Sequence, residues 1–178
     1  MDHNVDALIA MSALPYFPEI INNDANEAGW TPMLMACINS NQSDLTCIKL
    51  LSESGASLTH QKKANGMGPI HFAASNNDVH LLDYIIDTEG ESIVAQENNE
   101  GWTPTDYACF LNNFDAVNLL MEKGANLSKT NQSGYSAFDQ LVLADNVDLF
   151  ECVWNQAKLV KRDMKKKASF GFIHLAAG

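Results

Sequence analysis

The sequence predicts an all-α solenoid of stacked helix-turn-helix units, and three observations predict it. Gly29-Trp30-Thr31-Pro32 recurs as Gly101-Trp102-Thr103-Pro104. Halfway between them, Gly66-Met67-Gly68-Pro69-Ile70-His71-Phe72-Ala73-Ala74 puts a proline in the same frame. Gly134-Tyr135-Ser136-Ala137 and Phe170-Gly171-Phe172-Ile173-His174-Leu175-Ala176-Ala177 continue it, so the proline slot falls at 32, 69, 104, 137 and 172, with spacings of 37, 35, 33 and 35. Such a period marks a unit that cannot bury its apolar face alone and stacks on its neighbours.

The chain reads as one domain, 1–178, built in order. Residues 1–26 form a degenerate N-terminal capping unit, with Val5 to Met11 as one helix and Pro18-Glu19-Ile20-Ile21 opening a second, proline suiting a first helical turn. Four full units follow at 27–63, 64–98, 99–131 and 132–166, and 167–178 is a truncated fifth unit or C-terminal cap. Helices are expected at 32–39, 44–53, 69–76, 79–87, 104–111, 114–122, 136–144 and 147–157. Each first helix opens where a Thr hydroxyl can cap it and Pro sits where a missing N–H costs nothing. Small pairs, Ala36-Cys37, Ala73-Ala74 and Ala108-Cys109, allow close approach of neighbouring helices. The second helices, such as Val79–Ile86, Phe114–Met121 and Val147–Trp154, have apolar residues at positions 1, 3, 4, 6, 7 and 8, a broad helical face. Gly55-Ala56 and Gly124-Ala125 terminate two of them as C-cap glycines do.

With T-P, P-I-H-F-A-A and I-H-L-A-A at a period near 33, the chain resembles the ankyrin-repeat family over nearly its whole length. The resemblance implies protruding hairpin loops, a concave groove that holds partners, and a His slot used for hydrogen bonds between neighbouring turns. His71 and His174 occupy that slot, and Leu34, Asp106 and Asp139 replace it elsewhere. It also implies that the residue before the Thr slot faces the groove, which here gives Trp30, Met67, Trp102, Tyr135 and Phe170. The two positions after each small pair are expected there too. They supply Ile38, Phe110, Leu111 and Leu143, apolar where a solvated surface prefers polar residues. These nine residues are the candidate partner-binding set, with Trp102, Phe110, Leu111, Tyr135 and Leu143 as its hot spot. An aromatic in the slot can instead pack on the next hairpin.

Composition narrows the function. Eleven Lys+Arg against 22 Asp+Glu leave a formal charge of −11, which disfavours nucleic acid and anionic membranes. It favours a protein or peptide partner with basic and apolar groups, acidic fingertips such as Glu27 and Glu100 contributing. The N-terminus has no basic n-region and no apolar run approaches a membrane span, so a cytosolic or nuclear monomer is expected. Cys37, Cys47, Cys109 and Cys152 are spaced for neither zinc nor a redox pair, and read as reduced structural thiols. No nucleophile elbow, phosphate loop or carboxylate pair is present, so no catalytic residue, metal or cofactor is expected. Lys158, Lys161, Arg162, Lys165, Lys166 and Lys167 cluster in what reads as the connector before the fifth unit: a solvated loop, a nuclear import signal or a contact for an acidic partner. The leading reading is a non-catalytic interaction module; the alternative is the regulatory or targeting part of a longer enzyme or channel.

Overall fold

The computed structural model describes residues 10, 17–40, 44–143 and 147–164. A short helix α1 (Phe17–Ile20) precedes four helix pairs: α2 (Pro32–Ile38) with α3 (Thr46–Glu53), α4 (Pro69–Ser75) with α5 (Val79–Glu89), α6 (Pro104–Phe110) with α7 (Phe114–Glu122), and α8 (Ala137–Leu143) with α9 (Val147–Met164). Among the described residues there is no strand, only an isolated antiparallel bridge between Thr130 and Ser136. The first helices α2, α4, α6 and α8 pack consecutively on one another, and α5 packs on α7, so the chain is an all-α repeat solenoid.

Each inner helix opens as the residues dictate. Thr31 Oγ1 accepts from the Leu34 N–H at 3.3 Å, and Thr103 Oγ1 from the Asp106 N–H at 3.3 Å, while Pro32 and Pro104 fill first-turn positions that need no donor. In the fourth unit Ser136 takes over, its Oγ accepting from the Asp139 N–H at 3.3 Å. The small residues Cys37, Ala73, Ala74, Ala108 and Cys109 are fully buried between adjacent inner helices. That burial pushes the Cys37 thiol up to about 12 and raises Cys109 too, so both are inert packing residues.

Units are joined by polar groups as well as by packing. The last carbonyls of an α-helix lack partners within it. Here Asn76 Nδ2 donates to the Cys37 and Ile38 carbonyls of α2 at 3.3 and 3.2 Å, and Asn113 Nδ2 to the Ala74 and Ser75 carbonyls of α4, both at 2.8 Å. In the hairpin fingers, Gly66 adopts φ +74°, and a Cβ there would stand 2.5 Å from the Asn99 backbone nitrogen of the next finger. Glycine is therefore required by conformation and by space.

The His slot bridges turns in the second unit. His71 Nδ1 accepts from the Gly68 N–H at 3.1 Å, and Nε2 lies 3.3 Å from the Trp102 carbonyl of the following unit. With Nδ1 accepting, Nε2 carries the proton and donates. In the same slot Asp106 Oδ2 accepts from the Thr103 N–H and hydroxyl, both at 2.7 Å, and Asp139 Oδ2 from Ser136 N and Oγ at 2.7 and 2.6 Å. The carboxylates thus serve their own turn only.

Two expectations are corrected. α5 runs to Glu89 rather than residue 87 and is followed by a 3-10 turn, Glu91–Ala95, which buries Ile93 and Val94. α9 runs to Met164 rather than 157, so Lys158, Lys161 and Arg162 lie in a helix and not in a connector. No Gly or Pro interrupts the sequence from Val147 to Met164, and nothing forces the helix to stop earlier. Lys165, Lys166 and Lys167, the 167–178 partial unit with Phe170 and His174, and nearly all of the Val5–Met11 segment lie outside the described residues.

Burial lowers the His71 pKa from 6.5 to about 4, against hydrogen bonds that raise it. The folded state therefore favours the neutral ring, and the unfolded chain binds more protons between those values. This stability is complete above pH 6.5 and is lost as the pH falls toward 4, by about 3 kcal/mol in order of magnitude. Urea titrations across pH 4–7 should show that slope in the wild type and a flatter one in His71→Gln.

Candidate functional site

The candidate residues divide by exposure. Trp30 is half-buried: its ring stacks on Phe72 of the next unit, with centroids 5.6 Å apart and planes 25° apart, and Lys62 Nζ sits 4.2 Å from its centroid. Met67 is half-buried against the core. Trp102 is half-buried beside Tyr107 at 5.1 Å and meets Phe110 edge-on at 5.7 Å. Tyr135 is exposed. The expected stripe is therefore graded: Trp30 and Met67 largely serve packing, Trp102 supports exposed neighbours, and Tyr135 is open to solvent. Phe170 lies outside the described residues.

Of the positions after the small pairs, Ile38 in the first unit, Phe110 and Leu111 in the third and Leu143 in the fourth are exposed. Phe110 is 51% exposed and Leu111 46%. The sequence reading missed Phe114, which is 42% exposed, and Val147, also exposed. Both hold position 1 of an outer helix, where an apolar residue was assigned to the buried face. Positions 3, 4 and 7 bury Ala116, Val117 and Leu120 in α7, but position 1 lies at the turn and looks outward. Met35, one turn before Ile38, is exposed and was likewise missed.

Val142 is 64% exposed, yet its slot is filled by the fully buried Cys37, Ala74 and Cys109 in the preceding units. A Cβ on Gly66 would meet the next finger at 2.4 Å, while one on Gly134 would meet nothing within 4 Å. No described unit follows the fourth, and that accounts for Val142. It does not account for Phe110, Leu111 and Phe114, because the third unit is flanked on both sides. The flanked second unit has Ser75 and Asn76 in the slots of Phe110 and Leu111, so the fold does not require apolar residues at those two, whereas the Phe114 slot is apolar there as well, filled by the half-buried Val79.

The electrostatics are one-sided. Lys63 pairs with Asp24, Lys123 with Asp83 at 2.9 Å and Asp87 at 3.3 Å, and Lys129 with Glu97. Lys49 sits 5.8 Å from the Tyr84 ring centroid. With Lys62 over Trp30, every lysine between residues 17 and 157 is engaged. Among the described residues no three His, Cys, Asp or Glu side chains gather where they could hold a metal, and no helix is long and apolar enough to cross a membrane.

A family model for ankyrin repeats in three copies matches residues 40–131, more than half of the chain, and the protein belongs to the ankyrin-repeat family. Such repeats are a protein–protein interaction module. The chain is 28% identical to bovine SMC5-SMC6 complex localization factor protein 1 over 60% of its own length and 10% of the relative's. It is 29% identical to the Saccharomyces cerevisiae probable 26S proteasome regulatory subunit p28, over 64% of each chain. It is 30% identical to the Xenopus laevis inhibitor of Bruton tyrosine kinase over 45% of this chain and 6% of that protein. The chain thus spans about a tenth of the first relative and under two thirds of the second.

The grading of the stripe is testable by stability alone. Trp30→Ala, which removes a ring stacked between Phe72 and Lys62, should cost about 2 kcal/mol, while Tyr135→Ala should stay within about 0.5 kcal/mol. Urea denaturation of the two variants measures the difference.

Proposed function

We propose that this chain is a non-catalytic module that holds a protein or peptide segment along the side of its inner helices, centred on the third and fourth units. The observation that carries the reading is the exposed apolar run beside Trp102, in a flanked unit whose neighbour uses polar residues in the same slots. Contiguous exposed apolar residues around an aromatic anchor are how binding surfaces concentrate energy. The acidic balance and the engaged lysines favour a partner with basic groups. The relatives' names, a localization factor, a regulatory subunit and an inhibitor, describe proteins that act on others and agree with an adaptor role in the cytosol or nucleus.

A second reading is that the module serves as the regulatory or targeting part of a longer polypeptide. It is supported by the small share, 10% and 6%, that the match occupies in two of the relatives.

Capture of partners on wild type and on Trp102→Ala/Phe110→Ala tests the first reading. The double variant should weaken binding by ~2 kcal/mol or more with helix content unchanged. If it unfolds, or binds as wild type does, the surface is part of the core or is not used.

A further inference from the structure

We propose that the turn patch of the third unit, Phe110, Leu111 and Phe114, continued by Leu143 and Val147 in the fourth, docks a basic amphipathic helix presented by a protein partner. The inference rests on the module reading above but not on the aromatic stripe, most of which is engaged in packing. Phe110 and Leu111 end α6 and Phe114 begins α7, so three large apolar side chains leave one tight turn. Leu143 and Val147 fill the slots of Phe110 and Phe114 one unit on. Phe110, Leu111 and Phe114 are exposed in a unit flanked on both sides, and Leu143 and Val147 are exposed in the last described unit.

Spacing selects the shape of the occupant. Adjacent inner helices pack about 8–10 Å apart. Residues i and i+7 on a helix stand about 10.5 Å apart on one face. Two apolar side chains at that interval therefore reach the third-unit and fourth-unit halves of the patch together.

Charge selects its flanks. Residues 99–155, which include the patch and the start of α9, carry eight carboxylates (Glu100, Asp106, Asp115, Glu122, Asp139, Asp145, Asp148, Glu151) against two lysines, Lys123 and Lys129, whereas Lys158, Lys161 and Arg162 belong to the other end of α9, eleven or more residues along it from Val147. Both lysines reach back to carboxylates of the second unit, Asp83 and Asp87 for one and Glu97 for the other. Asp115 follows Phe114 directly and Asp148 follows Val147, so each half of the patch has a carboxylate beside it. Asp115 accepts from Asn77 Nδ2 at 3.1 Å, a neutral donor that leaves its charge uncompensated. A helix with Leu or Ile at i and i+7 and Lys or Arg beside them matches both features. An anionic membrane, the other common taker of exposed apolar groups, would be repelled.

The probe is a fluorescein-labelled Leu/Lys amphipathic peptide of about 18 residues, long enough to turn helical on binding, with a Leu/Glu peptide of the same pattern beside it. Fluorescence anisotropy on the full chain should show Leu/Lys binding that weakens with salt, and no Leu/Glu binding. Leu111→Ser/Phe114→Ser should bind about tenfold or more weakly with an unchanged circular dichroism spectrum. Asp115→Asn/Asp148→Asn, which leaves the apolar groups in place, should bind more weakly with a shallower salt dependence. The proposal is overturned if wild type does not bind the Leu/Lys peptide, if both peptides bind alike, or if the serine variant binds as wild type does. Capture of a natural partner that is lost on Trp102→Ala/Tyr135→Ala yet untouched by Leu111→Ser/Phe114→Ser would overturn the patch and leave the groove reading standing.

Discussion

Each of the first two units of this solenoid is finished by the next. Its inner helix ends in carbonyls that have no partner within the helix, and the following unit supplies the donor: Asn76 to Cys37 and Ile38, Asn113 to Ala74 and Ser75. Its hairpin glycine presses against the next finger, and its small pair is sealed by the next inner helix. His71 extends the linkage, tying the Gly68 turn to the Trp102 carbonyl. Because these contacts are nearest-neighbour contacts, stability accumulates along the stack and the positions they do not use are free to vary.

That division of labour separates the frame from the surface inside a few residues. Around the third-unit turn, Cys109 is sealed in the core, Phe110 and Leu111 are open, Asn113 caps the preceding unit, Phe114 is open and Ala116 is sealed. A surface interleaved so closely with the frame can change its chemistry without disturbing the stack. The second unit shows this directly with Ser75 and Asn76 in the slots of Phe110 and Leu111. The bulk apolar character of the third unit is therefore a property of its surface and not a demand of its fold.

Much of the frame could be read from residues alone, since Thr-Pro, the small pairs and the helical apolar faces each act locally. The ends of α5 and α9 could not. α5 continues until Gly90, at φ +88°, turns the chain into a 3-10 segment, and a break at 87 had no residue to enforce it. The candidate surface was legible by slot but not by burial. Trp30 and Tyr135 share a slot, yet one is stacked on Phe72 and the other is open, because the residue that covers Trp30 comes from a different unit. Phe114 was hidden for the opposite reason: its helix has one apolar face in sequence, and only the turn geometry shows that position 1 leaves it. The basic run was misplaced through the same helix end that was set too early.

Frame and surface are separable within one turn. The most direct test is equilibrium urea denaturation of two single variants, Asn113→Ala and Leu111→Ser. Removing the Asn113 amide takes the side-chain donor from two helix-end carbonyls of α4, leaving Ala74 O only backbone N–H donors such as Asn77 at 3.3 Å, which should cost about 1–2 kcal/mol. Leu111→Ser should remain within about 0.5 kcal/mol of wild type. Equal losses, or a larger loss at Leu111, would contradict it.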